Sequence, residues 1–243
     1  MPDNLSEATL ITGGSNGIGA AIVAARLAMG ECVLSLDLAP PAEKTAARHY
    51  QVDLSDEEAL RQVMGEISGA FAVTRVVNCA GAALLDPLES LVPDDLRRTM
   101  DLNVLAPALI VQACLPAMKA RRFGRIVNIA SRAALGKTLR TAYAGSKGAL
   151  ISATRVWALE HAADGITVNA IGPGPIETEL FARANPPDSP ATQMIRGTIP
   201  VGRLGQPAEI AHAADFFLDD KAGFVTGQVL YVCGGMTIGV APT

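Results

Sequence analysis

Residues 12–19 read Thr-Gly-Gly-Ser-Asn-Gly-Ile-Gly, and this stretch decides the predicted fold. An apolar run at 8–11, typical of a buried strand, precedes it, and an apolar helical segment at 20–29 follows it. Glycines let the backbone turn tightly and come close to a bound group, while the free N–H groups at the start of a helix stabilise negative charge. The stretch therefore predicts a cradle for a pyrophosphate, and the alternative is an ordinary glycine turn.

A second pattern is the pair Tyr143 and Lys147, four residues apart in Tyr-Ala-Gly-Ser-Lys, within a predicted helix at 140–161. One helical turn places the phenol and the ammonium on the same face. A free tyrosine has a pKa of about 10, and a nearby cation favours the phenolate and lowers this pKa. The pair predicts a base that takes a proton from an alcohol, and the alternative is an amphipathic helix with one buried ring.

Several motifs follow one another in a fixed order along the chain. They are Thr-Gly-x-x-x-Gly-x-Gly at 12–19, Asn-Cys-Ala-Gly at 78–81, Asn103, Ser131, Tyr143-x-x-x-Lys147 and Pro173-Gly174. The glycine spacing differs from the general dinucleotide fingerprint G-x-G-x-x-G, and the whole set resembles the short-chain dehydrogenase/reductase family over nearly the entire length. One spacing departs from the family habit, because Ser131 precedes Tyr143 by twelve positions and many members have one more. We expect the loop after the serine to be correspondingly shorter.

Short segments rich in valine and isoleucine alternate with predicted helices. Predicted strands cover 32–36, 73–78, 125–130, 166–171 and 228–232, and predicted helices cover 56–67, 93–119, 141–161 and 207–218. The apolar strands indicate a parallel sheet with both faces covered. Ser55 with Glu58 predicts a capping box, and Pro207 fits the first turn of its helix. The resemblance implies a single α/β domain over 1–243, a Rossmann-type doubly wound sheet flanked by helices on both faces, with a substrate lid at about 179–206.

Composition argues against several classes of protein. The chain has 243 residues, 49% hydrophobic and 18% charged, which is enough for one large core. Its 20 basic and 24 acidic residues include no long basic run, so we expect no nucleic-acid partner. The longest apolar stretch, 102–118, contains two prolines and a glutamine, and the N-terminus lacks a secretion pattern, so we expect no membrane partner. Four scattered cysteines indicate a reducing compartment, and we expect a cytoplasmic protein.

The choice of cofactor depends on the end of the predicted second strand. Asp37 stands there, where a carboxylate accepts hydrogen bonds from the adenosine ribose hydroxyls and repels a 2′-phosphate. The glycine turn carries Asn16 rather than a cation, and Leu38 follows the aspartate. We therefore expect NAD rather than NADP. Asp53 and Leu54 resemble the family's pair at the adenine, and alternatively Asp53 caps the following helix.

The resemblance implies hydride transfer between C4 of nicotinamide and a carbinol carbon, which interconverts a secondary alcohol and a ketone without a metal. Tyr143 is expected to be the general base in oxidation and the general acid in reduction. Lys147 is expected to lower the Tyr143 pKa and to bind the nicotinamide ribose. Ser131 is expected to bond the substrate oxygen, and Asn103 to hold a water behind Lys147, unless its amide only bonds local backbone. The expected cofactor-binding residues are Gly13, Ser15, Asn16, Gly17, Ile18, Gly19, Asp37, Leu38, Asp53, Leu54, Asn78, Ala80, Gly81, Tyr143, Lys147, Pro173, Gly174, Ile176 and Thr178.

Other readings concern partners and function class. We expect a small alcohol or ketone as the substrate. Two interpretations are open for three cations, Arg132, Lys137 and Arg140. Either they bind a carboxylate or phosphate of the substrate, or they are solvated or face another subunit. The resemblance implies a homotetramer, with 93–119 and 141–161 paired across a two-fold axis and 225–243 at a second interface. An alternative is an NADP-dependent ketoreductase, such as a 3-oxoacyl carrier-protein reductase, with a docking patch at Arg121, Arg122 and Arg125. Another class is a catalytically silent dinucleotide-binding sensor or scaffold.

Overall fold

A computed structural model describes residues 5–84, 87–186 and 189–239, and within them a seven-stranded parallel sheet lies at the centre. The sheet order is β3-β2-β1-β4-β5-β6-β7. The order reverses at β1, which pairs with both β2 and β4, so a crevice opens at the carboxyl ends of β1 and β4. The strands are β1 (Ser6–Thr12), β2 (Val33–Asp37), β3 (Arg48–Gln51), β4 (Phe71–Asn78), β5 (Gly124–Ile129), β6 (Ile166–Pro173) and β7 (Val229–Val232).

Helices cover both faces of the sheet, as predicted for a doubly wound domain. Leu10 and Ile11 of β1 show the division, because neighbouring side chains of a strand point to opposite faces. Leu10 belongs to a core cluster with Ile110 of α4, and Ile11 to a second cluster with Ile22 of α1. The helices are α1 (Gly17–Ala28), α2 (Glu57–Ala70), α3 (Pro93–Met100), α4 (Ala106–Arg121), α5 (Thr141–His161), α6 (Glu179–Ala184), α7 (Pro190–Gly197) and α8 (Pro207–Leu218).

The predicted strands and helices are present, and one of the helices differs from prediction in an informative way. The helix predicted at 93–119 is divided into α3 and α4 by a π-helical turn at Asp101–Leu105. Such turns bulge one residue out of the regular ladder and often occur at functional sites. The helix predicted at 141–161 is α5, with exactly those bounds.

The start of α2 corrects one prediction. The Ser55–Glu58 capping box is wrong, because the helix is capped by Asp56, whose side chain accepts a hydrogen bond from the N–H of Ala59 at 3.1 Å. Ser55 instead donates its hydroxyl to Asp53 at 2.6 Å. Aspartate competes well for the cap position because its carboxylate also interacts favourably with the helix dipole.

The predicted lid contains two short helices. Thr178 caps α6 and Ser189 caps α7, each through a side-chain oxygen that accepts a backbone N–H. The segment predicted to be irregular, 184–190, includes positions 187 and 188, which lie outside the described residues. Ile176 and Gly205 form an isolated parallel bridge that joins the two ends of the lid. The predicted lid is therefore a helical segment whose two ends are hydrogen-bonded to each other.

The run Pro93–Arg121 is long and apolar enough, with a mean hydropathy of 1.4, to cross a membrane by length and composition alone. Its second part, α4, buries Ile110, Cys114 and Met118 in the core cluster on one face of the sheet. Core helices of globular proteins meet the same criterion of length and hydropathy. Because 33% of the apolar window is buried, the packing of α4 against the sheet accounts for that part of its apolar composition.

Candidate active site

The glycine turn between β1 and α1 can exist only with glycine at particular positions. Gly13 has a φ of +69°, and a Cβ there would lie 2.9 Å from the Cα of Ala80. A Cβ on Gly19 would overlap the carbonyl oxygen of Gly13. The side chain of Asn16, at the N-cap of α1, makes no capping hydrogen bond to the helix. The start of α1 therefore presents backbone N–H groups to a close backbone turn, the arrangement that binds phosphates.

Asp37 ties the end of β2 to this turn. Its Oδ2 accepts a hydrogen bond from the N–H of Ser15 at 3.0 Å, and its Oδ1 accepts one from Ala39 at 3.2 Å. Ser15 is itself buried, and its hydroxyl donates to the carbonyl of Ala39 at 2.7 Å. The carboxylate is thus held beside the glycine turn, at the carboxyl end of β2.

The two residues expected at the adenine, Asp53 and Leu54, have different surroundings. Asp53 is exposed and accepts two hydrogen bonds from Ser55, and these bonds lower its pKa. It therefore stabilises the turn before α2. The alternative interpretation, that Asp53 caps this helix, is wrong, because Asp56 is the cap. The side chain of Leu54 packs into the core.

A network of polar side chains, not identified from the sequence, fixes the segment after β4. Thr12 Oγ1 accepts hydrogen bonds from the N–H groups of Cys79 and Ala80, both at 3.0 Å. Asn78 donates to Asn128 of β5 at 2.8 Å, and Asn128 donates to Thr154 of α5 at 2.9 Å. This chain of bonds links the strand beside the cradle to the helix that carries Tyr143. Hydrogen bonds of this kind join residues far apart in sequence, so spacing alone could not have identified them.

Tyr143, Ser131 and Lys147 meet at the carboxyl end of β5. The Ser131 side chain lies close enough to the Tyr143 phenol to lower its pKa, and it also caps a short 3-10 turn, Arg132–Leu135, by accepting the N–H of Ala133 at 3.1 Å. Lys147 is 3% exposed, and its Nζ donates to the carbonyl of Ile129 at 2.8 Å. The same Nζ lies 5.9 Å from the centre of the Tyr143 ring. The expected pairing on one face of α5 is therefore present.

Burial dominates the electrostatics of both groups. It raises the pKa of Tyr143, while the hydrogen bond from Ser131 and the charge of Arg140 lower it. Burial also lowers the pKa of Lys147 to about 8. The cation that lowers the Tyr143 pKa in this structure is thus Arg140, whereas the sequence-based expectation assigned that effect to Lys147. Arg140 precedes α5 at its N-cap position, a place that no motif indicated.

Asn103 occupies the π-helical turn and is fully buried. Its Oδ1 accepts from the N–H of Ala82 at 3.2 Å, and its Nδ2 donates to the hydroxyl of Ser146 at 2.9 Å. A Cβ on Gly81 would lie 3.0 Å from Asn103 Oδ1 and 3.1 Å from Lys147 Nζ. The amide therefore joins the segment after β4 to α5, and it lies near Lys147. The alternative interpretation was that it bonds only local backbone in its own helix, whereas these bonds go to other elements.

The turn after β6 completes the crevice. A Cβ on Gly174 would lie 2.7 Å from the Cα of Cys233, so this turn packs closely on the segment after β7. Ile176 is buried, and Thr178 accepts the N–H of Phe181 at 3.1 Å to cap α6. A Cβ on Gly17 would lie 3.2 Å from the Thr178 methyl group, so Thr178 lies over the start of α1.

The structure thus places most predicted site residues along one crevice. The crevice runs from the carboxyl end of β2 to the turn after β6, and it is marked by Gly13, Asp37, Ala80, Lys147 and Thr178. The side chain of Ile18 packs partly into the core and that of Leu38 is exposed, so any contact they make with a cofactor would involve the main chain or the open edge.

Comparison with known proteins agrees with this geometry. A family model described as enoyl-(acyl carrier protein) reductase matches residues 13–237. The 2,3-dihydroxy-2,3-dihydro-p-cumate dehydrogenase of Pseudomonas putida is 33% identical over 245 residues, covering 96% of this chain and 95% of that protein. The NAD-dependent glycerol dehydrogenase of Listeria innocua is 34% identical over 241 residues, covering 96% and 94%.

A solved structure shows the same fold. The 3-oxoacyl-(acyl-carrier-protein) reductase of Agrobacterium tumefaciens with NADP bound superposes with a TM-score of 0.87 at 29% identity, covering 94% of this chain and 93% of that one. Both the sequence relatives and this structure match the chain nearly from end to end, and the motif set lies on the site that the fold assembles. The chain therefore belongs to the short-chain dehydrogenase/reductase family.

Proposed function

We propose that this protein is an NAD-dependent oxidoreductase that interconverts a secondary alcohol and a ketone by hydride transfer, with Tyr143 as general acid and base. The observation that supports it is the convergence of Tyr143, Ser131 and Lys147 at the carboxyl end of β5. This point lies beside the crevice that the glycine turn and Asp37 border. A redox cofactor in the crevice and a proton donor at its end are the two parts that this reaction needs.

The bound dinucleotide would supply or accept the hydride, and the side chains of this chain would control the proton. Tyr143 is kept protonated at neutral pH by burial, so it can donate to the oxygen of a ketone. Ser131 lies beside the phenol, and its hydroxyl can bond the same substrate oxygen as charge develops there. Lys147 and Asn103 lie behind Tyr143 and form our proposed path by which the proton exchanges with solvent.

The proposal of NAD rests on Asp37. Its carboxylate is held beside the cradle by the N–H groups of Ser15 and Ala39. A 2′-phosphate placed on the ribose would meet this negative charge, whereas free ribose hydroxyls could donate to it. Asn16 and Leu38 supply no compensating cation. One relative is named as NAD-dependent and one solved structure contains NADP, so the relatives support a dinucleotide, and Asp37 decides the form we propose.

The substrate class we propose is a small secondary alcohol or its ketone. The named relatives act on a cyclic diol acid, dihydroxydihydro-p-cumate, and on glycerol, and both are alcohols. The carrier-protein reductase alternative loses part of its docking patch, because Arg125 is 4% exposed and stacks on the ring of Phe123. A silent sensor has no need of a serine hydroxyl and a buried lysine beside the Tyr143 phenol.

We further propose a cytoplasmic homotetramer. On α5, the side chains of Val156 and Leu159 are exposed, Leu159 by 85%. Ile238, in the segment 225–243 expected at a second interface, is exposed as well, and so is Phe224 just before that segment. These apolar groups support burial against other subunits. Light scattering should give about four times the 25.2 kDa mass of the chain, and a monomer would contradict the proposal.

The function is tested by fluorescence titration with NADH and NADPH, followed by a rate screen of secondary alcohols and ketones with the tighter cofactor. We expect tighter binding of NADH and measurable turnover. Tyr143→Phe should lower kcat by at least ~10²-fold while NADH still binds, because it removes the proton donor and little else. Retained turnover in this variant would remove Tyr143 from the mechanism. Tighter binding of NADPH would overturn the role of Asp37.

A further inference from the structure

Three cations stand in the eleven positions between Ser131 and Tyr143: Arg132, Lys137 and Arg140. None of the three forms an ion pair with a carboxylate of the described residues, whereas arginines elsewhere, such as Arg26 and Arg203, do. Arg132 and Arg140 both lower the pKa of Lys137 by repulsion, in addition to the effect of its partial burial. The segment thus gathers positive charges that repel one another and that no described acidic side chain offsets.

Arg140 is placed beside the reacting groups. It is the N-cap residue of α5, and its charge lowers the pKa of Tyr143, so the guanidinium lies within electrostatic reach of the phenol. Its Nη1 donates to the carbonyls of Leu84 at 3.0 Å and Leu139 at 3.4 Å. Leu84 belongs to the segment after β4, in which Gly81 lies against the Asn103 side chain and Ala82 donates a hydrogen bond to it. These bonds fix Arg140 between the segment after β4 and the start of α5.

The remaining donors of Arg140 suit one type of ligand. Among the described residues, only Nη1 of Arg140 has acceptors, and no described residue accepts from the edge formed by Nε and Nη2. That edge presents two parallel N–H donors, a match for the two oxygens of a carboxylate. Lys137, with three rotatable donors, can add a second positive charge.

The surroundings are apolar. Leu84, Leu135 and Leu139 expose large parts of their side chains around these cations. Leu139 has a φ of +57°, a left-handed conformation that is unfavourable for leucine. The chain thus adopts a costly backbone conformation at the residue that positions Arg140. An apolar rim around a cation that no described carboxylate pairs with fits a ligand with a hydrocarbon body and one anionic group.

We propose that the substrate is a hydroxy acid, or the matching oxo acid, whose carboxylate is bound by Arg140 with support from Lys137. The inference rests on the proposed function and adds the chemical class of its substrate. The carboxylate would be held by the Nε–Nη2 edge, the carbon chain would contact the leucine rim, and the carbinol would reach Tyr143 and Ser131. Arg140 is thus a binding residue that selects the substrate by its charge.

The test uses 2-, 3- and 4-hydroxy acids, each paired with its primary amide, which has the same shape without the charge. Wild-type enzyme with NAD should show a kcat/KM at least ~30-fold higher for the acid than for the amide in the best pair. Arg140→Gln should bring this ratio close to one. It should also slow both substrates, since Arg140 lowers the Tyr143 pKa, and the ratio separates recognition from that effect. Arg140→Lys should keep part of the preference, because the charge remains without the planar edge.

A second readout does not depend on turnover. Simple carboxylates without a hydroxyl group should inhibit competitively, and their amides should not. Phosphate monoesters test the other anion: stronger inhibition by these than by carboxylates would overturn the carboxylate assignment. Arg155→Gln, at an exposed position farther along α5, is the matched control and should leave the ratio unchanged.

The outcomes distinguish the two proposals. Equal rates for acids and amides in every pair would overturn the substrate class and leave the proposed oxidoreductase function intact. Turnover of neither acids, amides nor simple alcohols with either dinucleotide would overturn the proposed function, and the substrate class with it.

Discussion

The substitution Lys147→Met separates the stability of the fold from its chemistry. Lys147 is 3% exposed, and its Nζ donates to the carbonyl of Ile129 at 2.8 Å. Burial lowers its pKa from 10.5 to about 8, so near neutral pH the folded chain holds a buried cation at a cost in free energy. Methionine keeps an unbranched side chain of similar length and removes the charge.

The magnitude follows from the pKa. A fall from 10.5 to about 8 corresponds to ~3 kcal/mol, at about 1.4 kcal/mol for each tenfold change. Between these two values the unfolded chain still binds a proton that the folded chain has lost, so stability rises with pH in that window and the full cost is present below it. Loss of the hydrogen bond to Ile129 offsets about 1–2 kcal/mol of the gain. At neutral pH we therefore expect Lys147→Met to raise the free energy of unfolding by about 1–2 kcal/mol.

Urea unfolding of both proteins at neutral pH and at about pH 9.5 measures this effect. The gap between the variant and the wild type should narrow by ~2 kcal/mol at the higher pH, because the wild type regains stability as Lys147 loses its proton. Lys44→Met, at an exposed lysine, is the control and should show no such change. Turnover should be lost in Lys147→Met. A gap that stays constant across the two pH values would refute the lowered pKa, whatever the size of the gap.

Three further predictions concern the cofactor crevice. Asp37→Ser combined with Leu38→Arg should shift the preference from NADH toward NADPH by at least ~10-fold in Kd, measured by fluorescence titration, because a cation replaces the carboxylate beside the ribose; an unchanged preference would show that Asp37 does not select the cofactor. Gly19→Ala should abolish NADH binding, since its Cβ would overlap the Gly13 carbonyl, whereas Gly65→Ala, with nothing near its Cβ in α2, should raise the free energy of unfolding by about 0.5–1 kcal/mol. Thr12→Val should lower the free energy of unfolding, measured with urea, by about 1–3 kcal/mol, because two N–H groups lose their acceptor. Thr12→Ser keeps the hydroxyl and should retain most of that free energy. Equal losses in the two variants would show that the hydroxyl is not responsible.

Elements with strong local signals were predictable from the sequence. The strand before the glycine turn, the turn itself and α5 were predicted because apolar runs, glycine spacing and a four-residue pair depend on neighbours along the chain. The cap of α2 was misassigned to Ser55 because Ser55 and Asp56 are both good cap residues and only the geometry decides between them. The helices of the lid were not predicted, since short helices depend on tertiary contacts more than on propensity.

The candidate site was predictable as a set of residues and only partly as an arrangement. Tyr143 and Lys147 share a helix face, so their proximity follows from spacing. Thr12 bonds residues that lie 67 and 68 positions further along the chain. Asn128 bonds one residue 50 positions before it and one 26 positions after it. No sequence periodicity indicates such contacts. The effect of Arg140 on Tyr143 was assigned to Lys147 for a related reason: spacing indicates which charges are near, and burial decides which of them act.

Arg140 has two effects on the proposed reaction: its charge lowers the pKa of Tyr143, and it binds the substrate carboxylate. The first effect changes when the second occurs. Burial raises the pKa of Tyr143, and Arg140 works against this by favouring the phenolate. A phenolate suits oxidation of an alcohol, and a neutral phenol suits reduction of a ketone. If a substrate carboxylate binds to Arg140 as proposed, it offsets the charge that favours the phenolate. Binding of an oxo acid and protonation of Tyr143 then favour each other, since linkage between two binding equilibria is reciprocal. An acid substrate would therefore bring the general acid of its own reduction toward the protonated form, whereas a neutral amide of the same shape would not.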